Sequence, residues 1–194
     1  MTGIKTEKLI DLAQTSKLGV FIDQENDTLL CLISLQEEDP ETKPYEIFQD
    51  IKLSLSLKKD DESEFKSLKR AYLAARENDR EVVIAKFVKS NLYILCANGS
   101  GAFILRENNL VPLIKTSENE YLTASGKIRE GDSLLFATHS VLSNLPMDVI
   151  KEALKEQNIA LLESSLDTLQ EGKALIIASK QTLSHDFEIN STAT

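Results

Sequence analysis

Histidine and cysteine are scarce in this 194-residue chain, with two of each, and tryptophan is missing altogether. Cys31 and Cys96 sit inside the apolar runs LLCLISL and LYILCA, with no C-x-x-C spacing. That placement argues against a cysteine metal site and reads both thiols as reduced core residues. His139 and His185 stand 46 positions apart, so no helical i,i+4 histidine pair is available to bind zinc. A G-x-S-x-G elbow and a Walker phosphate loop are also lacking. The short Asn98-Gly-Ser-Gly101 segment reads as a tight turn instead of a phosphate cradle.

Positive charge is in short supply. With 22 basic against 31 acidic residues the net charge is -9, and the summed field repels phosphate backbones and anionic lipid heads, which argues against a nucleic-acid partner. No apolar run approaches the roughly 20 residues of a membrane helix, so no membrane partner is expected in this segment. The opening MTGIKTEKLIDLA lacks the basic-then-apolar layout of a secretion signal, and a cytoplasmic protein is expected. What is present, 42% hydrophobic and 27% charged residues, is enough for a globular core. The length suits one domain, placed at residues 1–180, with 181–194 as a polar tail or linker.

Periodicity divides the chain into blocks. Leu18–Asp23 and Thr28–Leu35 read as a hairpin around a polar turn, the second strand apolar on both faces and therefore central. Tyr45, Phe48, Ile51 and Leu55 fall at helical spacing behind Pro44. Phe65, Leu68, Tyr72 and Ala75 form the stripe of a second helix, ending near Asn78. From Glu81 the pattern changes to short runs, EVVIAKFVK, NLYILCA, GAFILR, NLVPLIK, EYLTA and SLLFAT, read as an antiparallel meander in which Pro112 marks an edge or an interruption. Helical spacing returns with Val149, Ile150 and Leu154, and again with Leu161, Leu162, Leu166 and Leu169. Lys173–Ser179 is the last strand. Helix pairs between blocks of strands predict an α+β fold, a four-layer α-β-β-α sandwich of two mainly antiparallel sheets flanked by helix pairs.

Residue types alone reveal no activity. Asp132, His139 and Ser140 make a poor nucleophilic triad, because His139 and Ser140 are neighbours whose side chains diverge on an extended chain. The acidic clusters Glu37-Glu38-Asp39 and Asp60-Asp61-Glu62 read as solvated loops.

Taken together, the segments CANGSGAFILRENNLVPLI and GKIREGDSLLFATHSVLSNLP, two helices, and GKALIIAS resemble the second half of the metal-dependent serine/threonine phosphatases of the PPM family. The resemblance spans about residues 18–180, is strongest from Leu92 to Leu145, and is most specific in Gly131-Asp-Ser-Leu-Leu-Phe-Ala-Thr138. In that family a central strand ends in Asp-Gly, a turn carries Gly-Asp-Ser, a later strand ends in Thr-Asp-Gly, and Asp-Asn or Asp-Asp precedes the closing strand. The resemblance aligns these acidic positions with Gln36, Ser100, His139 and Glu171.

Magnesium and manganese are hard cations held mainly by carboxylates and water, and two of them side by side need several negative charges. At about 4 Å and an effective dielectric near 20, each lost charge contact removes about 4 kcal/mol of gross attraction. The resemblance with these departures implies a catalytically inactive pseudophosphatase acting as a protein-interaction or sensor module. No catalytic residue and no metal cofactor are expected, and the sequence does not identify the protein partner. The alternative it leaves is a divergent Mn-dependent phosphatase acting on phosphoprotein monoesters, with Glu37, His139 and Glu171 as a weak manganese site.

Overall fold

The computed structural model describes residues 2–10, 18–23, 29–35, 43–75, 80–118, 120–158, 160–166 and 174–182. Within them the chain runs β1 (Thr2–Ile10), β2 (Leu18–Asp23), β3 (Leu29–Ser34), α1 (Pro44–Ser56), α2 (Glu64–Ala74), β4 (Glu81–Val88), β5 (Asn91–Ala97), β6 (Gly101–Arg106), β7 (Asn109–Lys115), β8 (Tyr121–Lys127), β9 (Ser133–Ala137), α3 (His139–Asn144), α4 (Met147–Glu156), α5 (Ala160–Leu166) and β10 (Ala174–Thr182). The strands form two five-stranded sheets, ordered β1-β10-β9-β6-β7 and β2-β3-β4-β5-β8. Every pairing in them is antiparallel. No helix among the described residues is long and apolar enough to cross a membrane.

Side-chain parity builds the layers. Leu30 and Leu32 of β3, Val83 and Ala85 of β4, and Leu92 and Ile94 of β5 meet Ile104 of β6 and Leu134 and Phe136 of β9 in a core between the sheets. Their alternates point outward. Leu29, Cys31, Ile33, Ile84 and Leu95 pack under α1 and α2, while Phe103, Leu105, Leu135 and Ala137 pack under α3, α4 and α5. The result is the expected four-layer α-β-β-α sandwich. Cys31 and Cys96 are free and buried, as read from the sequence. Burial pushes the Cys31 thiol far up and that of Cys96 up to about 12, so neither forms a thiolate near neutral pH.

The meander reading is corrected. The β4-β5 and β6-β7 hairpins belong to different sheets, β8 returns to pair with β5, and β9 lies between β6 and β10. A single sheet apolar on both faces would need a layer of helices over each of them. Division between two sheets lets the inner faces cover each other. Pro112 sits on the edge strand β7, where the register against β6 shifts beside Phe103, so both readings of that proline hold. No element was expected before Leu18, yet β1 pairs along its length with β10, which continues to Thr182. The polar composition of β1 suits an edge strand, and its partner is nowhere near it in sequence.

The helices follow their stripes with a phase correction. Ile47, Phe48, Ile51 and Leu55 of α1 are buried, but Tyr45 is exposed, its ring tilted against that of Phe21. Phe21 stacks on Phe48 at 4.6 Å. Phe65 of α2 is likewise partly exposed, its ring edge against Tyr93. Ser63 caps α2 by accepting from Lys66 N at 3.3 Å. Glu62, read as a solvated acid, instead takes two hydrogen bonds from Arg70, which also donates to the Ser54 carbonyl and so ties α2 to the end of α1.

Asp132 locks the end of the sandwich where β9 begins. It is buried and takes hydrogen bonds from Arg106 Nε at 2.8 Å, Arg106 Nη2 at 2.6 Å and Arg129 N at 2.7 Å. Burial pushes its carboxyl up, but the Arg106 and Arg129 bonds outweigh this and hold it below the usual carboxylate range. Arg106→Ala leaves that carboxylate buried without its partner and should cost about 3 kcal/mol at pH 7 in urea denaturation. Because the folded-state pKa is depressed, the Asp132 contribution is fully present above about pH 4, the unfolded value, and fades as pH falls through the folded value. The gap between wild type and Arg106→Ala should therefore close in acid. An acid-invariant gap would contradict this assignment.

Candidate functional site

Strand register brings two of the positions singled out in the sequence, Ser100 and His139, to the opposite end of the sandwich. Ser34 faces Glu81, Val82 faces Ala97, and Ala137 faces both Gly101 and Leu175. The exits of β3, β5 and β9 and the entries of β4, β6 and β10 thus share one rim. Ser100 and His139 lie on it. Gln36, Glu37, Glu38, Asp39 and Glu171 lie outside the described residues.

Asn98 and Gly99 both take positive φ, 56° and 89°, and Ser100 N donates to Ala97 O at 3.3 Å. Asn-Gly favours such a primed turn, which usually joins hairpin partners. Here it carries the chain from one sheet to the other. Ser100 is fully buried, and its hydroxyl accepts from Ala97 N at 3.1 Å while lying 2.8 Å from Ala97 O and 3.1 Å from Val82 O, both acceptors. Its carbonyl accepts from Thr116 N and Thr116 Oγ1, and Gly99 N donates to that same Oγ1 at 2.9 Å. Asn98 Nδ2 donates to Arg80 O at 2.6 Å. The Ser100 side chain stitches β4 to the turn and spends its hydrogen-bonding capacity inside the protein.

His139 opens α3, immediately after the buried Thr138. Its backbone N–H donates to Glu81 Oε2 at 2.7 Å, and its Nε2 lies 3.1 Å from Ser143 Oγ. A Cβ added to Gly99 would sit 3.0–3.1 Å from the Cβ, Cγ and Nδ1 of His139, so the turn glycine makes room for the imidazole. The His-Ser pair was expected on an extended chain. It lies in the first turn of α3, where Ser140 Oγ meets Thr138 Oγ1 at 3.2 Å. Asp132 lies at the other end of β9, about 17 Å of strand away, so no triad forms.

Glu81, which sequence reasoning passed over, is the acidic side chain next to His139. Its only signal is an acidic residue opening an otherwise apolar strand, and the register against Ser34 that brings it to the rim is not written locally. Thr116, which braces the turn from the end of β7, was missed for the same reason.

The chemistry of this donor set does not fit a magnesium or manganese pair. Ser100 offers a neutral hydroxyl already engaged by Val82 and Ala97, His139 offers an imidazole, and Glu81 receives the His139 amide. Among the described residues no three His, Cys, Asp or Glu side chains converge as metal ligands. Hard dications at close range need clustered carboxylates.

No family model matches the chain, and no curated protein sequence matches it. Solved structures do. The phosphatase domain of the cell fate determinant SpoIIE from Bacillus subtilis superposes with a TM-score of 0.73 at 10% identity, covering 96% of each chain. PppA, a key regulatory component of the T6SS in Pseudomonas aeruginosa, gives 0.70 at 10% identity over 91% of this chain and 97% of that one. The catalytic domain of the serine/threonine protein phosphatase PstP, solved in complex with two manganese ions, gives 0.69 at 15% identity over 94% and 100%. The fold is that of the PPM-type phosphatases.

Two substitutions test the geometry of this rim. Ser100→Asp sets a carboxylate against the Val82 and Ala97 carbonyl oxygens and should cost about 3 kcal/mol or more, without recovery in millimolar manganese. Gly99→Ala should cost about 1–2 kcal/mol through its positive φ, with added crowding of His139. Denaturation midpoints unchanged from wild type would show that the turn is built differently.

Proposed function

We propose that this protein is a PPM-type phosphatase-like domain without phosphatase activity that works as a protein-interaction or sensor module. The observation that carries the proposal is the pairing of two replacements on one rim. Ser100 and His139 stand where the family resemblance calls for metal-binding aspartates, and in each case the local structure has a use for the replacement. Phosphoester hydrolysis in such a site depends on a metal pair that lowers the pKa of the attacking water and offsets the phosphoryl charge. Among its described residues the rim supplies neither a cluster of carboxylates to hold that pair nor a nucleophile and base to replace it. The fold meanwhile keeps its full set of layers, and the similar PppA is described as regulatory, which agrees with a folded domain retained for recognition.

The test is a thermal-unfolding titration with manganese, followed by assay of an aryl phosphate in the same sample. A native-state metal site at about 100 times its dissociation constant would add about 2.7 kcal/mol of stability. The expected result is no shift and no turnover. Manganese-dependent turnover abolished by His139→Ala or Glu171→Gln would overturn the proposal and establish the divergent enzyme.

A further inference from the structure

At the end of the sandwich remote from His139, the two sheets do not close on each other. On β8 the residues facing the core are Ala124 and Gly126, opposite Ile94 and Leu92 of β5. Two large side chains on the central strand therefore face two small ones on the edge strand. A Cβ added to Gly126 would meet nothing within 4 Å. Across the gap, the register shift in β7 brings Leu113 against the core as a partly buried side chain. The space left is a cavity of about 130 Å³ lined by Leu92, Ile94, Ile104, Leu113, Ala124 and Ile128, with Arg106 also on its wall.

Ser125, Lys127 and Arg106 make the polar part of the cavity wall, and of these the Arg106 guanidinium is tied down by hydrogen bonds. Its Nε and Nη2 are held by Asp132, and Nη2 also donates to Lys127 O at 2.9 Å, so the guanidinium spans from one sheet to the other. Nη1 has no partner among the described residues. The Asp132 carboxylate offsets the charge of the guanidinium, so what remains for a ligand is a hydrogen-bond donor more than a cation.

We propose that this cavity is a binding site for a compact, mostly apolar small molecule carrying one hydrogen-bond acceptor. Apolar space of this size is large enough for a ring of about six to eight heavy atoms and too small for a segment of folded chain. Its lining forfeits dispersion contacts while the space is unfilled, which favours an apolar occupant over water. Arg106 Nη1 receives the acceptor. The site goes beyond the interaction or sensor reading, since it shares no residue with the Ser100 and His139 rim and stands whether or not that rim is catalytic.

Cyclohexanone is a suitable probe, read by NMR of the isoleucine and leucine methyl groups of the intact protein. Saturable shifts are expected at Leu92, Ile94, Ile104 and Leu113, with apparent affinity at least tenfold weaker in Gly126→Leu, whose side chain fills the space. Gly126→Leu should keep the wild-type thermal midpoint or exceed it, because a glycine within a strand is replaced. If that variant does not fold, Ala124→Leu fills the same cavity. Methylcyclohexane, which lacks the acceptor, should bind more weakly than cyclohexanone in wild type. Absence of saturable shifts, equal binding to a folded filled variant, or shifts centred on other methyl groups would overturn the site; equal binding of the two probes would overturn the role of Arg106.

Discussion

Burial of both faces of the central strands is the constraint from which the architecture follows. β3, β4, β5, β6 and β9 carry apolar side chains on both parities, so each sheet has two faces to hide from water. One face of each sheet covers its counterpart, and the others require helices. Four layers are the smallest arrangement that satisfies all of these demands at once. Removing Phe136 or Leu32 from the middle would leave a cavity shared by both sheets, where large-to-small changes are most costly.

The two ends of the sandwich meet different demands. At one end the Asp132 carboxylate and the Arg106 guanidinium join β6, the turn before β9 and the carbonyl of Lys127, so a charged pair does the work of a missing apolar closure. At the other, the Asn98–Ser100 turn and Thr116 bring the chain across from one sheet to the next with Asn98 Nδ2, Gly99 N and the Ser100 hydroxyl all engaged. Neutral hydroxyls and amides suffice there. A carboxylate in place of Ser100 would need a cation beside it to offset the two carbonyl oxygens it faces, and the described residues bring no cluster of three acidic, histidine or cysteine ligands for one.

This pattern gives a physical meaning to the proposed loss of catalysis. A metal pair in such a fold holds together strand ends whose acidic groups would otherwise repel one another. Where the resemblance calls for acids, Ser100 and His139 are held by hydrogen bonds instead: Glu81 accepts from the His139 amide, Ser143 meets the imidazole, and Thr116 donates to the Ser100 carbonyl. On the proposed reading the same fold persists without an ion for local charge balance, and the surface around it serves recognition.

Much of the fold was legible because it is written in short-range patterns. Apolar strands of period two, helical stripes behind Pro44 and Ser63, and an Asn-Gly turn each follow from a few neighbouring residues, and the Gly131–Thr138 run carries a family likeness. Long-range pairings were not legible. Nothing in the polar residues Thr2–Ile10 names β10 as their partner, and the Asn-Gly turn reads as a hairpin although its strands part into different sheets. The exposed face of Tyr45 depends on where α1 lands on Phe21 and Phe48. Sequence alone determined the layers and the reduced core cysteines, because these depend on composition and local spacing, while the reading of Ser100 and His139 as replaced acids came from the family resemblance. Only the tertiary structure decided that Glu81 meets His139, that Asp132 is a lock and not part of a triad, and that small residues on β8 leave a cavity. Each of these depends on strand register between segments that are far apart in the chain.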